Sequence, residues 1–368
     1  MSRTFRAPGR VNLIGEHTDY TDGLVLPAAI DREVRLVCEP GGPVVSLVSE
    51  HFSGSVEIPA GGGAPALGEG WGRYAAAVVD ELAALGRPQV GLHGRLESDL
   101  TAGVGLSSSA ALEVVVATAL CAVAEFELDP LELAGACRRA EHSAVGVPSG
   151  IMDQATSILG VAGHCLLLDC GTLEHRAIPL PPELAIVVLD SGIVRSLETS
   201  DYARRRREVL EALTVLDGRR PGDVTPEEAA ERAASAKLDP GLRRRLRHVV
   251  TENERVRQVV EALGAPAGAD RDRLGALLAA GHESLRDDLE VSIPELDLLV
   301  ELALEAGAVA ARMTGGGFGG AVIAFVEREQ ADDLGESVAA RYHRRTGRDA
   351  TVYRCVTVDG AGEVSPTG

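Results

Sequence analysis

The chain has 368 residues, and 36 Lys and Arg against 55 Asp and Glu give it a formal net charge of −19. That charge argues against a protein that works on nucleic acid or on an anionic membrane, because both need cationic surface. Lys237 is the only lysine, and no Gly-Lys-Ser/Thr tripeptide is present, which excludes a P-loop nucleotide site. Any nucleotide phosphates must therefore be bound without lysine.

The length predicts two domains of ordinary size, 1–179 and 180–368, with a boundary near the prolines at 179–182. Six cysteines without a Cys-x-x-Cys pair stand mostly in apolar runs, which is typical of buried, reduced thiols. Residues 1–10 lack an apolar signal core, and the most apolar predicted helix is shorter than the ~20 residues that span a bilayer. We therefore expect a soluble cytoplasmic protein.

The hydrophobic pattern predicts strands and helices in both halves of the chain, which indicates the α+β class. Predicted strands are 11–14, 24–26, 33–38, 44–48, 90–96, 165–169, 184–190, 321–326 and 350–358. Predicted helices are 73–85, 107–126, 131–144, 202–216, 226–237, 240–263, 270–280, 293–306 and 330–346.

The first notable segment, 8–20, places polar side chains directly after an apolar strand. Glu16, His17, Asp19 and Tyr20 together could bond several hydroxyl groups of a sugar, because carboxylates accept hydrogen bonds and imidazole can donate or accept. An ordinary turn built on Asp19 explains the same residues equally well.

The second segment, 103–111, reads Gly-Val-Gly-Leu-Ser-Ser-Ser-Ala-Ala and opens a helix. The glycines permit a tight curl, and the unpaired N–H groups at the helix start favour an anion, so the segment could hold phosphates. A turn followed by a serine N-cap is the simpler interpretation of an isolated Gly-x-Gly. Three consecutive serines are more than a cap requires.

The third segment, 313–320, has five glycines in its last six residues. Such density predicts positive φ angles or close approach of the backbone to another group. A plain helix-to-strand turn is the alternative.

In this order and at this spacing, the three segments resemble the motifs of the GHMP small-molecule kinases. Residues 9–20, Gly-Arg-Val-Asn-Leu-Ile-Gly-Glu-His-Thr-Asp-Tyr, resemble the galactokinase signature in particular, and 150–154, 248–254, 284–288 and 312–320 agree with the family as well. The resemblance implies a two-domain GHMP kinase fold. Its N-terminal domain is ribosomal S5 domain 2-like, its C-terminal domain is a ferredoxin-like α/β sandwich, and the active site lies in the cleft between them.

The resemblance also implies transfer of the γ-phosphate of MgATP to the C1 hydroxyl of α-D-galactose. Asp153 is then the catalytic base, and Arg10 orients it and offsets charge on the phosphoryl group. The implied sugar ligands are Glu16, His17, Asp19, the backbone of Gly150, and Tyr202. The implied nucleotide contacts are Gly103, Gly105, Leu106, Ser107, Ser108, Ser109 and, near the adenine, Trp71, for which core packing is an equal possibility. Mg²⁺ is assigned to Ser109 and Glu141 on resemblance alone.

Several alternatives stay open at this stage. Galactokinases often carry a histidine where this chain has Val194-Arg195-Ser196, so another sugar (N-acetylgalactosamine, arabinose or galacturonate) is possible. A non-catalytic sugar sensor is less favoured, because Arg10, Asp153 and the serine loop (residues 103–109) are all present. Without the resemblance, Asp153 is read as a residue bonding a helix start, and Glu141 as a solvated helix residue. We expect a monomer, with galactose and ATP as its partners and no nucleic acid or membrane.

Overall fold

The computed structural model describes residues 1–368 except 51–53, 65–69, 102, 147, 194–199, 266–267 and 365–368. The segment around Arg195, where the sequence departs from the family pattern, lies outside the described residues.

The N-terminal half contains both strands and helices, and helices dominate the middle of the chain. The strands are β1 (Arg3–Asn12), β2 (Leu24–Val25), β3 (Pro27–Pro40), β4 (Val44–Ser49), β5 (Ser55–Pro59), β6 (Leu92–Ser98), β7 (His164–Asp169), β8 (His175–Pro179), β9 (Leu184–Asp190), β10 (Ala310–Thr314), β11 (Ala321–Glu327), β12 (Thr351–Cys355) and β13 (Gly362–Val364). The helices are α1 (Gly72–Ala84), α2 (Ser108–Val123), α3 (Pro130–Val145), α4 (Met152–Leu159), α5 (Ser200–Leu213), α6 (Pro226–Ser235), α7 (Pro240–Leu263), α8 (Arg271–Glu283), α9 (Pro294–Glu305) and α10 (Ala331–Thr346).

A six-stranded sheet of order β13-β1-β3-β6-β4-β5 forms the base of the N-terminal half. The apolar helix α2 packs on β1 and β3, and α1, α3 and α4 surround it. Because α2 is apolar on nearly every side, it has to be buried among other elements. This packing fixes the start of α2, where the serine loop lies, above the end of β1.

The C-terminal sheet has the order β10-β11-β9-β12 and is covered on both faces. Ala185, Val187 and Leu189 of β9 join a core with α9 and α10, whereas Ile186 and Val188 face a core that includes α7 and α8. Successive side chains of a strand point to opposite faces, so a strand buried on both faces is an uninterrupted apolar run. That is why the sequence predicts the limits of β9 correctly.

Several short elements differ from the sequence prediction. The predicted bounds of α7 agree with the structure, but β5, β8, β10, β13 and the eight-residue α4 were not predicted, and β1 begins at Arg3 where the prediction began at residue 11. Short segments carry too few residues to show a period. β8 and β9 belong to different sheets, and the change falls near the predicted domain boundary at 179–182. The last strand, β13, returns to pair with β1 of the N-terminal sheet. The domain limits themselves stay a prediction.

All six cysteines are buried and free, as their apolar neighbours predicted. Among the described residues, no helix combines the length and the apolar character that a membrane span requires.

A buried ion network joins the loop after β1 to the C-terminal half. Arg312 of β10 is fully buried, and its Nη2 donates to Glu16 Oε2 at 2.5 Å and to Glu252 Oε1 at 2.9 Å. Glu252 also accepts from Arg255 Nε at 2.8 Å and from the Gly15 N–H at 3.0 Å. The two carboxylates therefore share one guanidinium, and Glu252 has a second.

The pKa values of the two carboxyls move in opposite directions for that reason. Two arginines and the Gly15 N–H hold the pKa of Glu252 well below its usual range. Burial raises the pKa of Glu16. Arg312 opposes this rise only in part, because it is shared with the neighbouring carboxylate of Glu252. The network thus depends on Arg312 for its balance of charge.

One face of α7 completes the support of this loop. His248 Nε2 donates to the Glu16 carbonyl oxygen at 3.1 Å, and Asn253 Oδ1 accepts from the Leu24 N–H at 2.8 Å. Burial lowers the pKa of His248 to about 4, so the ring is neutral at physiological pH. Side chains of α7 therefore satisfy backbone groups of the loop that would otherwise be buried without partners.

Arg312→Met should lower the free energy of unfolding by about 3–5 kcal/mol, because it leaves two buried carboxylates without their shared cation. Urea or thermal unfolding measures this loss. Arg345→Met is the matched control, since Arg345 pairs with Glu301 at an exposed site and such pairs contribute at most about 1 kcal/mol. An equal loss in the two variants would contradict the role given to Arg312.

Candidate active site

A cavity of about 560 Å³ lies where the N-terminal sheet and its helices meet α5 and the glycine turn after β10. It is lined by the predicted site residues Arg10, Glu16, His17, Asp19, Trp71, Gly103, Gly105, Ser107, Ser108, Ser109, Glu141, Gly150, Asp153 and Tyr202. Leu106 is the exception: its side chain is buried, and its carbonyl oxygen accepts from the Arg10 N–H at 3.1 Å. The structure therefore brings the three sequence motifs to one place.

Arg10 and Asp153 form a two-pronged pair in the middle of the cavity. Arg10 Nε donates to Asp153 Oδ1 at 2.8 Å, and Nη2 donates to Oδ2 at 2.7 Å. Arg10 Nη1 donates to the Gly105 carbonyl oxygen at 2.5 Å, and the Ser107 hydroxyl donates to Asp153. The planar guanidinium thus fixes the plane of the Asp153 carboxylate and ties it to the serine loop.

The serine loop has the backbone that its glycines predicted. Gly103 and Gly105 have φ of 84° and 94°, and Ser107 has φ of 61°. Ser107 occupies the N-cap position of α2, but no side chain of the described residues caps that helix, and the Ser107 hydroxyl bonds Asp153 instead. The simple N-cap interpretation is therefore wrong. The first N–H groups of α2 are left facing the cavity edge, where an anion is favoured.

Ser109 and Glu141 lie together at this helix start. The Ser109 hydroxyl donates to Glu141 Oε1 at 3.0 Å, and Ser149 donates to Oε2 at 2.6 Å. Glu141 is only 8% exposed, so its interpretation as a solvated helix residue is wrong. A hydroxyl and a carboxylate side by side suit Mg²⁺, which uses one or two carboxylates, phosphates and waters. Within the described ranges, no cluster of three or more His, Cys, Asp or Glu could hold a metal by itself.

The His17 ring is oriented from both sides. Its Nε2 lies 3.2 Å from the Gly316 carbonyl oxygen, which can only accept, so this nitrogen carries the proton. Nδ1 then accepts from the Tyr20 hydroxyl at 2.8 Å, and the Tyr202 ring lies 5.6 Å from the imidazole. The first motif, α5 and the glycine turn thus meet at this ring.

Asp19 lies against the backbone of Gly150, and a larger residue at position 150 would require the Asp19 side chain to move. A Cβ there would lie 2.0 Å from Asp19 Oδ2. Burial and the nearby Asp153 raise the pKa of Asp19 to about 6, and Arg10 opposes this rise. Asp19 and Asp153 are therefore two neighbouring carboxyls in the cavity that differ in their pairing with arginine.

The other end of the cavity is apolar and aromatic. Trp71, 9% exposed, precedes α1 and both joins the main core and lines the cavity, so the two roles left open for it are compatible. Tyr74, Leu112 and Val145 also line the cavity, and the Arg73 guanidinium stands 5.3 Å from the Tyr74 ring centre. This surface suits a flat ring system.

The glycine turn after β10 has the positive φ angles predicted for it. Gly315, Gly317, Gly319 and Gly320 all have φ between 80° and 130°, and a Cβ at Gly317 would lie 2.4 Å from the Val291 carbonyl oxygen. The close approach brings the Gly316 carbonyl oxygen to His17.

Sequence reasoning missed the buried residues behind the cavity wall. Arg312, Glu252, Glu113 and Gln154 are all fully buried and touch predicted site residues or one another. The available signal was a charged residue inside an apolar run, as for Glu113 in Leu-Glu-Val-Val-Val and Arg312 in Ala-Ala-Arg-Met. Such residues are rarely buried unless paired.

Comparisons with known proteins assign the chain to a family. The galactokinase galactose-binding signature matches residues 2–40, the N-terminal domain of the GHMP kinases matches 73–161, and their C-terminal domain matches 259–344. The galactokinase of Roseiflexus sp. (strain RS-1) is 42% identical over 98% of this chain and 92% of its own length. That of Chloroflexus aggregans is 42% identical over 98% and 93%.

Among solved structures, Lactococcus lactis galactokinase complexed with galactose superposes with a TM-score of 0.91 at 32% identity, covering 99% of this chain and 95% of that one. The two-domain GHMP kinase fold inferred from the motifs is confirmed. By its motifs, its fold and its identity over nearly the full length, this chain belongs to the galactokinase family of the GHMP kinases.

Proposed function

We propose that the chain transfers the γ-phosphate of MgATP to the C1 hydroxyl of α-D-galactose, giving galactose 1-phosphate and ADP. The observation that carries this proposal is the Arg10–Asp153 pair, which stands between the polar end of the cavity and the serine loop. A sugar hydroxyl and a terminal phosphate held at these two places would meet at Asp153.

In this mechanism, Asp153 orients the C1 hydroxyl and accepts its proton during transfer. Phosphoryl transfer depends mainly on positioning and electrostatics, and three hydrogen bonds from Arg10 and Ser107 hold the carboxylate for that task. Arg10 also offsets negative charge on the phosphoryl group. Glu16, His17, Asp19, the Gly150 backbone and Tyr202 bind the other sugar hydroxyls.

The nucleotide phosphates bind along residues 103–109 and at the start of α2, and the adenine binds beside Trp71. Ser109 and Glu141 hold Mg²⁺, whose charge stabilises the phosphate oxygens when it is bound. A monomer in the cytoplasm remains our prediction for the state and location of the protein.

An ATP-coupled assay over a panel of sugars tests the substrate. We expect galactose to have the highest kcat/KM. Fast turnover of N-acetylgalactosamine, arabinose or galacturonate without turnover of galactose would assign another sugar. Binding of galactose and ATP without any turnover would identify a sensor.

Asp153→Ala should lower kcat by about 10²–10⁴-fold, because it removes the group that orients and deprotonates the hydroxyl. Arg10→Ala should also lower kcat by orders of magnitude, because Asp153 then loses its orientation. Steady-state kinetics with thermal unfolding in parallel separates these effects from misfolding. Asp332→Ala, at a 74% exposed side chain, is the control; near-normal kcat in Asp153→Ala would disprove the role of the base.

Gly150→Ala should raise the KM for galactose far more than the KM for ATP. The added methyl group displaces the Asp19 carboxylate, which it would otherwise approach to 2.0 Å. Gly135→Ala in α3 is the matched control, since a Cβ there meets only Arg139 at 3.5 Å. If both variants had the KM values of the wild type, Asp19 would not be a sugar ligand.

Lys237→Arg should leave kcat and both KM values unchanged. Lys237 is exposed in the turn after α6 and does not line the cavity. Kinetics over the same ATP range measures this. A large loss would mean that the only lysine serves the phosphates after all.

A further inference from the structure

Behind the serine loop lies a buried chain of polar side chains that the mechanism above does not use. Glu113 is on α2, one turn beyond Ser109, and Gln154 follows Asp153 on α4; both are fully buried. Gln154 Nε2 donates to Glu113 Oε2 at 3.0 Å and to Glu141 Oε2 at 3.2 Å. One side-chain amide therefore bridges two carboxyl groups.

A buried carboxyl at position 113 is costly for the fold. The preceding and following residues, Leu112 and Val114, are apolar, and an apolar side chain at 113 would avoid the desolvation of a carboxyl group. In the described part of the chain, Glu113 Oε1 and Gln154 Oε1 have no hydrogen-bond partner, so the pair is not optimised for stability. What the pair does achieve is to fix the Gln154 amide, and through it one oxygen of Glu141.

We propose that Glu113, acting through Gln154, is a positioning residue that turns the Glu141 carboxylate toward Ser109 and the divalent cation bound there. With Oε2 occupied by Gln154 and Ser149, Glu141 presents Oε1 to Ser109. Partners of this kind, one shell behind a metal ligand, commonly set its affinity for the metal. The inference rests on the proposed assignment of the cation to Ser109 and Glu141.

The same row of buried polar side chains connects the proposed cation site to Asp153. Asp153 and Gln154 are neighbours in the first turn of α4, one facing the cavity and the other facing inward. A shift of α4 therefore moves both groups together. A glutamine at 113 keeps the size of the side chain and an oxygen that can accept the hydrogen bond from Gln154.

The test is the affinity of the protein–ADP complex for Mn²⁺, followed by electron paramagnetic resonance of the free ion. Glu113→Leu should weaken Mn²⁺ binding about tenfold. Glu113→Gln should bind Mn²⁺ with the affinity of the wild type. Galactose affinity, measured by calorimetry, should stay unchanged in both. Gln154→Met provides a second route to the same loss if Glu113→Leu fails to fold.

Two controls make the outcomes distinct. Val115→Ala opens space in the buried side of α2 and should lower stability without changing Mn²⁺ affinity. If Val115→Ala and Glu113→Leu both lost Mn²⁺ affinity and galactose affinity to the same extent, the role of Glu113 would be merely structural. Glu141→Gln reports on the cation site itself. If it weakens Mn²⁺ while folded Glu113→Leu and Gln154→Met do not, the positioning role is wrong and the cation site stands; if Glu141→Gln also has no effect, the cation assignment fails.

Discussion

One buried guanidinium, that of Arg312, holds the loop after β1 in the position on which the cavity depends. It bonds Glu16 and Glu252 at once, from a strand of the C-terminal sheet to a loop of the N-terminal half. A buried cation of this kind is costly unless carboxylates compensate its charge, and losing it leaves Glu16 without a guanidinium and Glu252 with Arg255 alone. The cavity therefore has a defined shape, because a cation behind one wall binds a carboxylate on the other. Glu16, His17 and Asp19 reach the cavity from a loop that α7 and β10 hold in place, and an independent surface loop could not supply that orientation.

The phosphate side solves a different problem, that of holding an anion in a chain with one exposed lysine. The glycines at 103 and 105 let the backbone curl, and Ser107 gives its hydroxyl to Asp153 and does not cap α2. The helix therefore begins with uncapped N–H groups and an uncompensated dipole, which is a favourable place for phosphate oxygens. The same serine links the loop to Asp153, so in the proposed mechanism one segment would position both the nucleotide and the base. Local amides can therefore favour an anion here although the net charge of the chain is −19.

The sequence was sufficient to predict an element or a turn wherever neighbouring residues alone determine it. The long amphipathic α7 and the doubly buried β9 show their period over many residues, and the glycine turns show their need for positive φ. It was insufficient where burial is decided by distant partners. Glu141 looks like a solvated helix residue until α4 and the segment around Ser149 cover it, and Arg312 finds Glu16 across almost the whole chain. The roles proposed for Asp153 and Glu141 come from the family resemblance, because their own neighbours in sequence do not indicate them.

The charges that line the cavity also explain why the nucleotide should arrive with a metal ion. Five carboxyl groups (Glu16, Asp19, Glu97, Glu141 and Asp153) and two guanidinium groups (Arg10 and Arg73) belong to its described lining. Arg10 is already engaged by Asp153, and Glu16 relies on Arg312 outside the lining. A free polyphosphate entering this space would meet more negative than positive charge, and repulsion is strongest where solvent is excluded. In the proposed mechanism, a divalent cation held by Ser109 and Glu141 would offset that repulsion, so the acidic wall would favour the metal complex of the nucleotide over the bare nucleotide.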